Sequence, residues 1–107
     1  MSVLKLGKLL QTAARQLDIS TMPHRLILVR HGQSQGNVDK TVYSSRPDHS
    51  ILLTEKGRLE ARDVGKRLRE LVGDESVKFY YSPYTRTKQT LEELVTAGFS
   101  DKVCCVN

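Results

Sequence analysis

The apolar run Leu26-Ile27-Leu28-Val29 constrains the fold more than any other feature of this 107-residue sequence. Consecutive apolar residues without polar alternation are typical of a strand covered on both faces, as in a parallel sheet. We therefore predict a strand over Arg25–Arg30. Gly32 and Gly36 end the pattern, and a loop that contains Pro47 follows.

A helix is predicted after this loop. Thr54 is a suitable N-cap, and Gly73 is a suitable residue to end the helix. Charged residues fall on one side of the segment and apolar residues on the other. The predicted buried face consists of Ala61, Val64, Leu68, Leu71 and Val72.

The remaining elements continue the alternation of strand and helix. Strands are predicted at Val77–Tyr81 and Lys102–Val106 because these segments are rich in β-branched and aromatic or apolar residues. Between them lies a helix with Ser82 as N-cap, Pro83 at its first position and Gly98 at its end. The order strand, helix, strand, helix, strand predicts an α/β domain with a mainly parallel sheet. Three strands make a thin sheet, so we expect the first half of a larger domain.

The first 22 residues are predicted to form an extension, and residues 23–107 the domain. The extension has apolar residues at helical spacing and basic residues among them, with no acid before Asp18. This pattern resembles an organellar transit peptide. The alternatives are a helix packed on the domain and an extension ahead of an internal start at Met22. We expect a cytoplasmic protein, or a mitochondrial or plastid one if the extension is a transit peptide.

The charge balance indicates an anionic partner. Lys and Arg outnumber Asp and Glu by 17 to 12, a net charge of +5, and the pI is about 9.4. Nucleic acid, an acidic membrane surface and a phosphorylated small molecule fit this charge, as does a merely solvated basic surface. The 6% aromatic content and the lack of Trp and of nucleic-acid motifs argue against nucleic acid, and no apolar run is long enough to span a membrane.

Cys104 and Cys105 are adjacent, which disfavours a disulfide between them and a metal site, and favours a reduced, intracellular protein.

Two nucleophiles compete within the loop after the first strand. Gly32 to Gly36 reads G-x-S-x-G, with Ser34 at the position of a serine-hydrolase nucleophile. Such an enzyme needs an acid and then a histidine downstream of the serine. The only downstream histidine is His49, fifteen positions on and inside a loop. We therefore interpret the serine pattern as a coincidence of spacing.

His31 is the better candidate because of its neighbours. Arg30 and His31 end the first predicted strand, and Arg86 lies one turn into the helix after the second. Parallel strands would bring all three residues to the edge where α/β sheets bind ligands. Arginine forks fit phosphate oxygens, free N–H groups at the helix start favour an anion, and imidazole can attack phosphorus. The alternative is a histidine that only hydrogen-bonds near the strand end, with surface arginines.

Three segments resemble one family. "LVRHGQSQGN" resembles the R-H-G-x-x-x-x-N signature of the histidine phosphatase superfamily, in its phosphoglycerate-mutase-like branch. "LTEKGRLEA" and "YYSPYTRTKQT" are similar to its L-T-x-x-G-x-x-Q/E-A and S-P-x-x-R-x-x-Q-T blocks, in the same order. "YSSRPDHSILLT" is similar to a plant, fungal and protist subgroup. The resemblance covers residues 23–107 and implies a three-layer α/β/α fold.

The resemblance also implies roles for individual residues. His31 matches the histidine that becomes phosphorylated, and Arg30 and Arg86 match the arginines of the phosphate pocket. Asn37 matches the asparagine that contacts the phosphate or the substrate, and Ser34 matches a small polar position in substrate binding.

Other matched positions are expected to serve the site indirectly. Gly32 lets the backbone approach the phosphate closely. Thr87 and Thr90 are expected to serve packing and helix capping instead of catalysis. The resemblance implies no metal and no cofactor, because arginines hold the phosphate.

Two elements of the family pattern are not found. The general acid, a glutamate, is expected just beyond Asn107, and the second pocket histidine further on; neither His24 nor His49 matches it. We therefore expect a truncated product, a gene-model fragment or a part of a larger protein. The predicted function is hydrolysis of a phosphorylated small molecule through a phosphohistidine, with oligomeric state open. A mutase is less favoured because the chain has no Trp, and the alternative is a non-catalytic phosphate-binding module or an inactive fragment.

Overall fold

The computed structural model describes residues 24–101 and the backbone of Cys105 and Val106. The extension of residues 1–22, with its predicted helix, and the two cysteine side chains lie outside the described part. No helix among the described residues is long and apolar enough to cross a membrane. The elements are α1 (Gln35–Val38), α2 (Val42–Ser45), a 3-10 turn (Asp48–Ser50), α3 (Glu55–Val72), β1 (Lys78–Phe79), α4 (Thr85–Gly98) and β2 (Cys105–Val106).

The ends of helix α3 confirm the prediction from sequence. The Thr54 side chain accepts a hydrogen bond from the Gly57 N–H at 3.1 Å, which satisfies one of the free donors of the first turn. Gly73 follows the helix with a φ of 58°, a backbone conformation that residues with a Cβ rarely adopt.

The predicted buried face of α3 is correct except at one position. Ala61 and Val72 are buried, and Val64 and Leu68 pack against the core at partial exposure. Leu71 is 57% exposed, so its predicted burial is wrong. It precedes Val72 by one residue, and about 100° of helical rotation turns it away from the core.

Helices α3 and α4 pack together through glycines at their contact. A Cβ on Gly65 would collide with the Leu94 carbonyl, and a Cβ on Gly98 would collide with the Gly65 carbonyl. The core beside this contact contains Val72, Leu94 and Phe99. Because no side chain separates the two backbones at the glycines, the helices approach closely enough to close this small core.

Ion pairs on the surface join the same two helices. Glu93 of α4 accepts from Arg58 at 3.0 Å and from Arg62 at 2.5 Å. The hydrogen bond from Arg62 and the charges of both arginines hold the pKa of the Glu93 carboxyl below its usual value. Arg69 forms a two-pronged contact with Asp101 just beyond the end of α4, at 2.6 and 2.8 Å.

The predicted start of α4 is wrong. The helix begins at Thr85 with Tyr84 as its N-cap, and Ser82 and Pro83 precede it. Tyr84 has an extended backbone, with ψ at 140°, which interrupts the helix before Thr85. The Thr87 hydroxyl bonds the Ser82 and Tyr84 carbonyls, at 2.5 and 2.7 Å. These contacts hold the segment in a turn and not in a helical first turn. The end of α4 at Gly98 confirms the prediction.

Among the residues that the structure describes, the sheet is smaller than predicted. β1 and β2 pair in parallel, with Lys78 opposite Cys105 and Phe79 opposite Val106, so the second predicted strand is shortened to two residues. The prediction of a covered strand at Arg25–Arg30 is wrong. The run Leu26–Val29 forms no strand and its residues are between 39% and 50% exposed. A strand requires a neighbour's N–H and C=O groups, and no other described residue pairs with this segment.

Candidate active site

The loop that carries the predicted nucleophile lies between residues 25–30 and helix α1. Arg30 is exposed and His31 is half-buried. The Nδ1 atom of His31 lies 2.7 Å from the carbonyl oxygen of Gly32. A carbonyl oxygen only accepts hydrogen bonds, so this contact requires the proton on Nδ1. In the neutral ring, the lone pair is then on Nε2, the nitrogen that can act as a nucleophile.

Gly32 joins this loop to both long helices. A Cβ at Gly32 would collide with the carbonyl oxygen of Gly57 in the first turn of α3. The Gly32 N–H donates to the Thr90 hydroxyl of α4 at 3.2 Å. That hydroxyl in turn donates to the Arg86 carbonyl at 2.7 Å. A continuous hydrogen-bonded chain therefore connects the backbone beside His31 with the turn of α4 that carries Arg86.

Ser34 and Asn37 form the cap of helix α1. The Ser34 hydroxyl accepts from the Asn37 N–H at 3.2 Å and donates to the Asn37 side-chain oxygen at 3.1 Å, and the same oxygen accepts from the Ser34 N–H at 2.9 Å. This reciprocal arrangement is a capping box. Ser34 is completely buried, whereas Asn37 is exposed. The position of the Ser34 hydroxyl inside the cap agrees with the interpretation that it is not a nucleophile.

The loop is also bound to the residues before α3. The Gln35 N–H donates to the Leu52 carbonyl, and the Thr54 N–H donates to the Gln33 carbonyl, both at 2.9 Å. Ser34 and Leu53 form an isolated antiparallel bridge between these bonds. The backbone around the predicted nucleophile is therefore held on three sides: by this segment, by the start of α3 and by Thr90 of α4.

Arg86 lies at the second residue of α4, and its side chain is 14% exposed. Its Nη1 atom donates to the carbonyl oxygen of Asp48 at 2.7 Å and to the Asp48 carboxylate at 3.1 Å. Its guanidinium carbon lies 4.8 Å from the centre of the Tyr84 ring. The structure therefore brings Gly32 and the backbone of Arg86 together through Thr90, and it pairs Ser34 with Asn37. The roles of the six predicted site residues in binding and catalysis stay predictions.

Two contacts near these residues are not predicted from the sequence. Thr90, predicted to serve packing and helix capping, also accepts a hydrogen bond from the Gly32 N–H and so links Gly32 to α4. Its spacing of four residues from Arg86 places both on one helix face, which is a signal that could have revealed it. The contact of Asp48 with Arg86 joins residues 38 apart, and no local pattern announces it.

Comparison with known proteins defines the class to which this fold and loop belong. The chain is a member of the histidine phosphatase superfamily (branch 1), whose sequence model matches residues 26–100. This match confirms the resemblance drawn from the three sequence motifs. The solved structure of the protein histidine phosphatase SixA with tungstate is similar, with a TM-score of 0.55 and 25% identity over 74% of this chain and 46% of that one. This likeness supports an α/β fold.

Three curated relatives are each similar to between 68% and 76% of this chain. The phosphoglycerate mutase-like protein AT74H of Arabidopsis thaliana is 49% identical over 76% of this chain and 32% of its own length. A broad-range acid phosphatase of Saccharomyces cerevisiae is 28% identical over 68% of this chain and 33% of its own length. A 2,3-bisphosphoglycerate-dependent phosphoglycerate mutase of Bartonella henselae is 38% identical over 69% of this chain and 34% of its own length. The chain thus spans about a third of the length of these relatives.

Proposed function

We propose that this chain carries the nucleophile and phosphate-binding part of a phosphoglycerate-mutase-like histidine phosphatase. The enzyme hydrolyses the phosphomonoester of a small molecule through a phosphohistidine on His31, and its complete domain is a three-layer α/β/α sandwich. The hydrogen-bonded chain from Gly32 through Thr90 to Arg86 carries this proposal. It ties the loop of Arg30 and His31 to the helical turn of the second arginine.

The chemistry follows from the orientation of the imidazole ring. The Nδ1–H of His31 donates a hydrogen bond to the Gly32 carbonyl oxygen, so the neutral ring presents the Nε2 lone pair to phosphorus. A nitrogen–phosphorus bond forms while the bond from phosphorus to the leaving oxygen breaks, and that oxygen takes a proton from a general acid. Water then attacks the phosphohistidine and passes a proton to the deprotonated acid, the nitrogen–phosphorus bond breaks, and inorganic phosphate is released. Arg30 and Arg86 stabilise the negative charge on the equatorial oxygens of both transition states.

The general acid belongs to the proposal only through the family resemblance, which implies a glutamate beyond Asn107. Its protonation of the leaving oxygen would contribute about 10²- to 10⁴-fold to the rate. A chain that supplies such a glutamate is expected to hydrolyse phosphomonoesters faster than one without it by a factor in this range.

Hydrolysis of p-nitrophenyl phosphate tests the role of His31. In the longest encoded protein, His31→Ala is expected to reduce kcat/KM at least 10³-fold, because the nucleophile is removed. His24→Ala, at an exposed histidine seven residues earlier, is the matched control and is expected to retain wild-type activity. Equal rates for wild type and His31→Ala would contradict the proposal.

Detection of the intermediate separates an enzyme from a binding module. Single-turnover reaction with a ³²P-labelled phosphomonoester, followed by an alkaline quench, is expected to leave acid-labile label on the wild type and none on His31→Ala. A protein that binds phosphate but never acquires label is a non-catalytic module. The similarity to a phosphoglycerate mutase favours one further candidate, in which the phosphohistidine returns its phosphoryl group to a second hydroxyl instead of water. Interconversion of phosphoglycerates in place of phosphate release would identify that activity.

A further inference from the structure

Arg86 is held in place by groups that the proposed reaction does not use. Both hydrogen bonds to Asp48 come from Nη1, at 2.7 Å to the carbonyl oxygen and 3.1 Å to the carboxylate. An Nη1 nitrogen carries two hydrogens, enough for both contacts. Within residues 24–101, the Nε and Nη2 atoms of Arg86 donate no hydrogen bond. These two atoms form the other planar edge of the guanidinium, which can bind two oxygens of one anion side by side.

The second restraint on Arg86 acts on the face of its guanidinium. The guanidinium carbon lies 4.8 Å from the centre of the Tyr84 ring, a cation–π contact. Asp48 holds one edge of the guanidinium and Tyr84 one face, so both the position and the plane of the group are restricted. A planar donor requires both restrictions if it is to meet two oxygens of a phosphate.

Asp48 is itself anchored to the framework of the site. It begins the 3-10 turn, whose Ile51 is fully buried and donates its N–H to the Asp48 carbonyl at 3.3 Å. Two residues further on, the Leu53 N–H donates to the Gln89 side chain of α4 at 2.8 Å. The turn and the helix that carries Arg86 are therefore fastened together independently of the Asp48–Arg86 pair. The aspartate can consequently position the arginine instead of merely following it.

We propose that Asp48 is a positioning residue for phosphate recognition, which orients Arg86 so that its Nε–Nη2 edge receives the anion. The inference rests on the proposed function, because it takes Arg86 as a phosphate ligand. The Asp48 carboxylate has two opposing effects. It repels a phosphate dianion, but it also removes the conformational freedom that Arg86 would otherwise lose on binding. The carboxylate lies on the Nη1 side and not on the edge left for the anion, so the positioning effect prevails.

Binding of inorganic phosphate, measured by calorimetry on the longest encoded protein, decides between these effects. Arg86→Ala is expected to weaken binding by about 100-fold or more, as the loss of a charge-assisted bidentate contact requires. Asp48→Ala removes the carboxylate contact and keeps the bond to the backbone carbonyl, so it is expected to raise the dissociation constant by roughly three- to fivefold, part of the factor for ordering one rotamer-rich side chain. Asp48→Asn keeps a carbonyl acceptor for Nη1 and is expected to stay within about twofold of wild type.

The matched control is Asp63→Ala, which removes the carboxylate of an exposed Asp63–Arg67 pair on α3 and is expected to leave phosphate binding unchanged. Circular dichroism checks that each variant retains its helices. Recovery of binding in Asp48→Asn is a result that general damage to the turn by Asp48→Ala would not produce.

The outcomes that overturn the inference are distinct. Tighter phosphate binding in Asp48→Ala shows that repulsion prevails, and the inference is then wrong. Unchanged binding in Asp48→Ala, together with a loss in Arg86→Ala, also overturns it and leaves the proposed function intact. Unchanged binding in Arg86→Ala removes the phosphate role of Arg86, and with it both that part of the proposed function and the inference.

Discussion

At the scale of single residues, Thr90 shows how one buried hydroxyl joins two parts of a site. Its hydroxyl oxygen accepts a hydrogen bond from the Gly32 N–H at 3.2 Å, and the hydroxyl donates one to the Arg86 carbonyl oxygen at 2.7 Å. The side chain is 6% exposed, so water cannot readily replace either contact. A buried N–H that loses its acceptor costs more free energy than the original hydrogen bond contributed.

Replacement of Thr90 tests this link. Thr90→Val preserves the shape of the side chain but leaves the Gly32 N–H without an acceptor, so we expect it to lower the free energy of unfolding by about 1–3 kcal/mol. Thr90→Ser keeps the hydroxyl and is expected to lose about 1 kcal/mol or less, from one missing methyl group. Urea denaturation followed by circular dichroism measures both. Equal losses in the two variants would show that the hydroxyl is unimportant.

At the scale of elements, the close contact of α3 with α4 determines where the site residues stand. The Gly65 and Gly98 backbones lie against neighbouring carbonyl oxygens. At the same time α3 supports Gly32 through Gly57, and α4 supports it through Thr90. A change in the separation of the helices would therefore move the loop of His31 relative to Arg86.

Gly65→Ala is the corresponding test. Its Cβ would collide with the backbone carbonyl of Leu94, which cannot move without shifting α4. We expect a loss of about 1–3 kcal/mol in unfolding free energy, although alanine favours the helix by itself. The neighbouring Lys66→Ala, at an exposed position, is expected to change stability by about 0.5 kcal/mol or less. A stabilised Gly65→Ala protein would show that the helices separate at no cost.

At the scale of the whole molecule, carboxyl groups whose pKa is lowered in the folded structure make stability depend on pH. The pKa of Glu93 is lowered, first by the hydrogen bond from Arg62, and that of Asp39 is lowered by its bonds to Thr41. A carboxyl with a lower pKa in the folded state stabilises that state above its unfolded pKa. This contribution is lost as the pH falls through the folded pKa.

Unfolding in urea at pH 7, 5, 4 and 3 tests this dependence. We expect wild-type stability to fall as the pH drops below about 4.5, the usual value for a glutamate. Glu93→Gln is expected to be less stable at pH 7 and to lose less between pH 5 and pH 3, because it has no carboxylate to protonate. Glu92→Gln, at an adjacent exposed position, is the control with the wild-type profile. Parallel losses in wild type and Glu93→Gln would contradict the assignment.

Much of the local structure follows directly from the order of residues. Thr54 caps α3, Gly73 ends that helix with a positive φ, and the family model matches residues 26–100. A cap forms between residues three apart, and a helix end depends on the conformation of one residue. Such features need no partner from elsewhere in the chain. The sequence by itself therefore determined the bounds of α3 and the family.

Contacts between distant residues were decided only by the tertiary structure. The Gly32–Thr90 bond spans 58 positions and the Arg86–Asp48 pair spans 38, and a local pattern contains no information about such partners. The apolar run Leu26–Val29 is a second example of a feature that local sequence cannot determine. Its composition favours a strand, but a strand exists only where another segment pairs with it. The physical reason is the same in each case. A residue's own conformational preference is encoded locally, whereas its partner is selected only when the whole chain packs.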